Sequence, residues 1–230
     1  MSDFHVLIAI PSLADRTGLE VYALELAEHL EQRGWVVTIY APTLGALADE
    51  VRAFGVTVVS DVRDARQPDI IHGTFFFETI AACEIFPRVP MIFQTHAAAI
   101  WMALPPKHPS LRALLSVDDA CTEVMRKAGF ESADIISTLN FADMDRFVPR
   151  GPLPERPRRA LVFSNYANLD GYAEILHKKC EAVGVALDIA GMNSGAPSNT
   201  PQNTLRNYDL VFAKGRCAIE ALAVGCAVIP

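Results

Sequence analysis

The stretch "YDLVFAKGRCAIEALAVGCAVIP" spans residues 208–230. "YDLVFA" is a short apolar run of the kind that forms a buried strand, and "KGR" is a tight turn. "CAIEALAV" has helical spacing, Gly225 caps it, and "CAVIP" opens another strand. Strand, glycine turn, helix and strand form the repeating unit of a doubly wound parallel sheet. A helix that starts after such a turn offers free backbone N–H groups and the positive end of its dipole, which suits an anion. Lys214 and Arg216 add charge there. Glu220 is expected in the first turn of the helix, where it has two readings. It accepts hydrogen bonds from sugar hydroxyls while the turn holds a diphosphate, or it only complements the dipole, worth about 0.3–1 kcal/mol. Local chemistry leaves both open.

The same rhythm fills the rest of the chain. "FHVLIAI", "WVVTIYAP", "VTVVSD", "PDIIHGTF" and "VPMIFQTH" read as strands. Helical patterns stand between them: "GLEVYALELAEHLEQRG", "LGALADEVRAFG" and "FETIAACEIF". In the first helix Leu19, Tyr22, Ala23, Leu26, Ala27 and Leu30 form the apolar face, with Glu20, Glu28 and Glu31 opposite and Gly34 as a stop. The strands are nearly continuous in apolar residues, as a parallel sheet covered on both faces requires. "RALLSVDDACTEVMRKAGF" gives a strand and a helix beginning near Asp118 and Asp119, and "ADIISTLN" a further strand. "VPRGPLPERPRR" (148–159) is a proline-rich, charged connection, so the expected domains are 1–150 and 151–230. Arg156, Arg158 and Arg159 read as part of this solvated linker. Beyond it "ALVFSNY", "GYAEILHKKCEAVG", "VALDIAG" and "LRNYDLVFA" repeat the α/β pattern around a polar loop, "MNSGAPSNTPQNT".

Composition narrows the function classes. A net charge of −7 opposes binding to a nucleic-acid backbone. Cys83, Cys121, Cys180, Cys217 and Cys226 are odd in number and dispersed. They suggest neither a disulfide framework nor a zinc site, and read as small buried hydrophobes in a reducing cytoplasm. Asp3 and the short apolar run after it do not suit a signal peptide, and no segment reaches transmembrane length. The expectation is a cytoplasmic protein, with peripheral contact at the inner face of a membrane left open. No Walker loop, G-x-S-x-G or metal-ligand cluster is present. Among the histidines, His96 follows the strand "MIFQT", where open α/β sheets bind ligands. His72 also ends a strand and is balanced between a site role and a structural one. The run "FFF" (75–77) is read as packing, with an acceptor cleft as the other reading.

The closing stretch resembles the nucleotide-sugar motif of GT-B glycosyltransferases, and is similar above all to the large retaining family of glycosyltransferase family 4 type. "EALAVG" matches that family's Glu-Ala-Met-Ala-x-Gly except at Leu222, so the resemblance implies that Glu220 holds ribose hydroxyls. "TGLEVYALELAEHLEQRG" is similar to the family's first loop and helix, with Thr17-Gly18 in place of paired glycines. This makes Gly18 the candidate for close backbone approach to donor phosphate. "PDIIHGTF" and "PMIFQTHA" look like the family segments that carry His72 and His96. "LNFADMDRFVP" is similar to its Asn-Gly-Val-Asp-x-x-x-Phe signature, with Asn140, Asp143 and Phe147 in register and Phe141 at the glycine.

The resemblance implies two Rossmann-like parallel sheets, with the second domain abbreviated in this chain. It implies a nucleotide diphosphate-sugar as donor substrate, no cofactor and no catalytic metal, and a glycan, lipid or small-molecule acceptor in polysaccharide biosynthesis. His96 becomes the catalytic candidate, contacting the donor sugar. Gly18, Lys214, Arg216 and Glu220 become donor-binding candidates, and His72 a candidate contact of acceptor or donor sugar. Two departures stand out. The family's earlier donor-loop glutamate would fall on Phe212, inside the strand. The arginine and lysine often found after the donor domain's first strand are absent from "SNYANLDG". The alternatives are a nucleotide-sugar 2-epimerase and a non-catalytic nucleotide-sugar-binding remnant.

Overall fold

A computed structural model describes residues 4–131, 134–167, 171–198 and 200–230. The chain forms two compact units, residues 1–139 and 140–230. The division therefore falls between Leu139 and Asn140, ahead of the expected 150/151. The reason lies in the core of the second unit. Phe147 is fully buried there against the same cluster as Leu161, Val211 and Ala221. The Arg150 amide also donates to Val224 O at 2.7 Å. The proline-rich segment starts inside the second unit, already stitched to it.

In the first unit the described strands are β1 (His5–Ala9), β2 (Ser12–Leu13), β3 (Val36–Tyr40), β4 (Thr43–Leu44), β5 (Thr57–Val59), β6 (Ile70–Gly73), β7 (Met91–Thr95), β8 (Leu111–Ser116) and β9 (Ile135–Ser137). The helices are α1 (Gly18–Gln32), α2 (Ala46–Ala53), α3 (Phe76–Ile85) and α4 (Asp119–Lys127). Seven strands form one parallel sheet in the order β5-β3-β1-β6-β7-β8-β9, while β2 and β4 pair separately. Every residue of β1 is buried, which is the price of a strand covered by helices on both faces. One side of the sheet packs Ile8 and Ile39 against Ala23 and Ala27 of α1, and the other packs Leu7, Ile71 and Phe93. Gly73 has a local steric reason, since a Cβ there would lie 2.3 Å from the Thr79 hydroxyl of α3. Asp118 caps α4 by accepting the Cys121 amide at 2.7 Å.

The first helix departs from expectation at Glu20, which is buried rather than on the solvent side. Thr17 lies at the N-cap and Glu20 three residues on, so the Thr17 hydroxyl donates to the Glu20 carboxylate across the first turn. Burial raises the Glu20 pKa against the lowering effect of that hydrogen bond.

The second unit contains β10 (Arg159–Phe163), α5 (Tyr172–Ala182), β11 (Ala186–Ala190), α6 (Pro201–Leu205), β12 (Leu210–Phe212), α7 (Arg216–Val224) and β13 (Ala227–Ile229). Its four strands are parallel, in the order β11-β10-β12-β13. The short helix α6 lies in the expected polar loop, with Pro201 at its start, where the missing N–H costs nothing. Arg159 belongs to β10 rather than to a solvated linker, pairing with Asp188 at 2.8 Å and stacking on Tyr208.

Asp209 is the polar anchor of this unit, at 8% exposure. One carboxylate oxygen accepts the amides of Arg158 and Arg159 at 2.9 and 3.2 Å, and the other meets the Arg150 guanidinium at 3.0 Å. Burial opposes the charge, but these donors outweigh it and hold the carboxyl below its ordinary range. Asp209→Ala leaves Arg150 buried without this partner and is expected to destabilise the second unit by about 3–5 kcal/mol, read by urea unfolding.

Candidate active site

In an open parallel sheet, ligands bind where neighbouring strands lead to connections on opposite sides. In the first unit that point lies between β1 and β6, since β3 and β5 extend one way and β7, β8 and β9 the other. Thr74, just past β6, seals the base of the crevice by donating its hydroxyl to Ala9 O at 2.9 Å.

Gly18 is the first residue of α1 and is exposed. A Cβ built there would meet no protein atom within 4 Å, so packing does not demand glycine at that position. His96 directly follows β7 and is half-buried at the carboxyl end of the sheet. His72 lies within β6 at 4% exposure, below the rim rather than on it. Burial holds its imidazole at a pKa of about 4, so it is neutral at physiological pH.

Two residues not expected from the sequence join these histidines. Tyr22 of α1 donates its hydroxyl to Gln94 Oε1 at 2.5 Å, and the Tyr22 oxygen itself lies 3.2 Å from His72 Nε2. The Tyr22 ring packs on the His96 ring with centroids 4.4 Å apart. In the sequence Tyr22 is one member of an apolar helix face. The available clue was its hydroxyl, which needs a partner once buried.

The second unit has its own divergence point between β10 and β12, with β11 on one side and β13 on the other. At the carboxyl ends of these strands lies a cavity of about 460 Å³, lined by Ser164, Tyr166, Phe212, Ala213 and Lys214, together with the Tyr172, Ile175 and Leu176 face of α5. The Lys214 ammonium stands 5.6 Å from the Tyr166 ring centroid. Gly215 makes the turn at φ 59°, a left-handed conformation open to glycine.

Arg216 is the first residue of α7, which makes Glu220 the fifth and places it just past the first turn, the turn expected for it. The first turn therefore contains no acid, and Glu220 does not serve the helix N-terminus as a dipole partner. Its Oε1 lies 3.6 Å from Arg216 Nη2, and both side chains are only 9% exposed. The guanidinium carbon is 5.4 Å from the Phe141 ring centroid. Arg216 and Glu220 are thus brought together beneath Phe141, while Lys214 faces the cavity. Cys217 beside them is pushed up to about 12, first by burial and then by the Glu220 charge, so it is no thiolate.

Two Rossmann-like units of parallel sheet are the architecture of the GT-B fold. Residues 16–146 match the model of Glycosyltransferase Family 4, and the chain belongs to that family. Among solved structures it is similar to Anabaena HepE in complex with UDP and glucose, at TM-score 0.71 and 12% identity, covering 98% of this chain and 80% of that one. A glycosyltransferase from Rickettsia africae is similar at TM-score 0.71 and 12% identity, covering 99% and 79%. The lipopolysaccharide outer core galactosyltransferase WaaB, in its apo form, is similar at TM-score 0.65 and 11% identity, covering 98% and 80%. No curated protein matches the chain by sequence. Among the described residues no helix is long and apolar enough to cross a membrane.

The buried His72 sets a pH dependence. Its folded pKa of about 4 lies below the ordinary 6.5, so between these values the unfolded chain binds a proton that the folded chain does not. Stability falls as pH drops from 6.5 to 4, by about 3 kcal/mol for this group. In thermal unfolding scans across that range, His72→Asn is expected to show a shallower decline than the unaltered protein.

Proposed function

We propose that this glycosyltransferase uses a nucleotide diphosphate-sugar as donor, retains the anomeric configuration, and transfers to a glycan or lipid acceptor. The observation that carries this reading is the buried Arg216–Glu220 pair at the start of α7. A cation and an acid one turn apart, at the N-terminus of a helix, match the two ends of a nucleoside diphosphate. On binding, Arg216 turns to the diphosphate and Glu220 accepts from the ribose hydroxyls. The ion pair thereby keeps both charges compensated until the ligand replaces each partner. A protein of the same fold, HepE, is described in complex with UDP-glucose, which supports a uridine nucleotide as the first donor to test.

The reaction passes through a transition state of oxocarbenium character with a departing diphosphate, so the main requirement is stabilisation of the leaving charge. Lys214, Arg216 and the α7 dipole supply it. Gly18, with open space in front of it, lets a donor phosphate reach the backbone, and His96 contacts the donor sugar. Phe212 stands in place of the carboxylate that many family members place near the reacting carbon, so this group is absent from the proposed mechanism.

The direct experiment incubates the protein with UDP-glucose and other nucleotide sugars, with lipid and glycan acceptors. It follows release of nucleoside diphosphate and the anomeric configuration of the product. Epimerised donor without transfer, or binding without turnover, overturns the reading.

Three variants probe the parts. Glu220→Gln is expected to weaken UDP binding about tenfold, the loss of a charge-assisted hydrogen bond of about 1.5 kcal/mol, measured by calorimetry. Arg216→Ala should weaken UDP more than uridine, and equal losses would contradict its placement on the diphosphate. Gly18→Ala adds a Cβ that meets no protein atom within 4 Å, so it should hold or slightly raise the melting temperature while weakening UDP-glucose binding.

A further inference from the structure

We propose that Tyr22 is a positioning residue for His96, with its hydroxyl held by His72 and Gln94 and its ring supporting the His96 imidazole. For its effect on turnover this rests on the reading of His96 given above; the positioning itself concerns only groups of this chain.

The direction of the hydrogen bonds follows from counting protons. Gln94 Nε2 donates to Thr138 Oγ1 at 3.3 Å, and the Thr138 hydroxyl donates to Ser116 O at 3.4 Å. The amide is thereby oriented, and Oε1 faces Tyr22 as acceptor. A phenol has one proton. With that proton given to Gln94, the Tyr22 oxygen can only accept from His72 Nε2, 3.2 Å away. His72 must then be the neutral Nε2–H tautomer, in keeping with its depressed pKa. Donation runs one way, from His72 through Tyr22, Gln94 and Thr138 to the Ser116 carbonyl. It links β6, α1, β7, the segment after β9, and β8.

This relay accounts for a tyrosine where a phenylalanine would fill the same volume. Tyr22 is 6% exposed, so its hydroxyl lies too deep to touch a substrate. Its ring does reach the rim, where it meets the His96 ring at 4.4 Å with an interplanar angle of 57°. The backbone of His96 follows β7 directly, and Gln94 is in that strand. Strand and relay therefore restrain the same imidazole, one through its backbone and the other through its side chain.

The test uses long-range proton–nitrogen NMR of the imidazoles in the whole chain. Unaltered protein should show His72 as a single Nε2–H tautomer and the His96 C–H protons shifted upfield by the Tyr22 ring. Tyr22→Phe should abolish the single tautomer of His72 and broaden the His96 signals, and Tyr22→Leu should remove the ring shift. Gln94→Met, which cuts the anchor from the strand side while leaving Tyr22 intact, should move the same His96 signals. In turnover of UDP-glucose, Tyr22→Phe should lower kcat about tenfold with KM unchanged, the signature of a misplaced group rather than of lost binding. His96 signals that stay unmoved and sharp in both Tyr22→Phe and Gln94→Met, which keep the ring, overturn the proposal. Moved signals together with full turnover by His96→Ala support the positioning and instead remove the assignment of His96 to the reaction.

Discussion

Parallel pairing of strands whose connections diverge is the constraint on which both units depend. β1 lies beside β6, and β10 beside β12, yet the chain leaves each pair toward opposite edges of its sheet. Where connections diverge in this way a crevice opens at the carboxyl ends of the strands, without any cavity having to be carved from a core. Gly18 and His96 stand at that edge in the first unit, and the turn at residues 214–216 in the second. Burial of the strands on both faces gives this edge its rigidity, since fully buried apolar strands leave little room for the loops' attachment points to move.

Charge is handled in both units by pairing it before it is buried. Asp209 collects two amides and a guanidinium, and Glu20 a threonine hydroxyl. The Arg216–Glu220 pair differs in consequence, because the proposed function gives its two residues separate parts of one ligand. A compensated pair keeps each charge partnered inside the protein, and in the proposed function a diphosphate and a ribose replace the two partners. His72 follows the opposite strategy and avoids charge altogether, which lets a histidine serve as a fixed hydrogen-bond donor inside the sheet.

Much of this was readable along the chain. The apolar strands, the helices between them and the glycine turn before α7 follow from periodicity and from the backbone preferences of glycine. These are local properties, and the structure has the elements where the sequence places them. What went unread was nonlocal. Phe147 stands just before the proline-rich stretch and Arg150 near its start, yet both join the second unit because their partners, Val211 and Tyr208 among them, come much later in the chain. Arg159 looked like linker because its stacking partner Tyr208 is distant in sequence.

The site divides in the same way. The sequence alone determined which residue types gather at the carboxyl ends of the strands, because order along the chain sets order in a right-handed α/β fold. Only the tertiary structure decided how they face one another. It turned Arg216 onto Glu220 beneath Phe141, sent Lys214 to the cavity, and drew Tyr22, His72 and Gln94 into one relay under His96. The physical reason is that hydrogen bonds and ion pairs depend on distance and direction between side chains on different elements. Neither quantity exists until the elements pack.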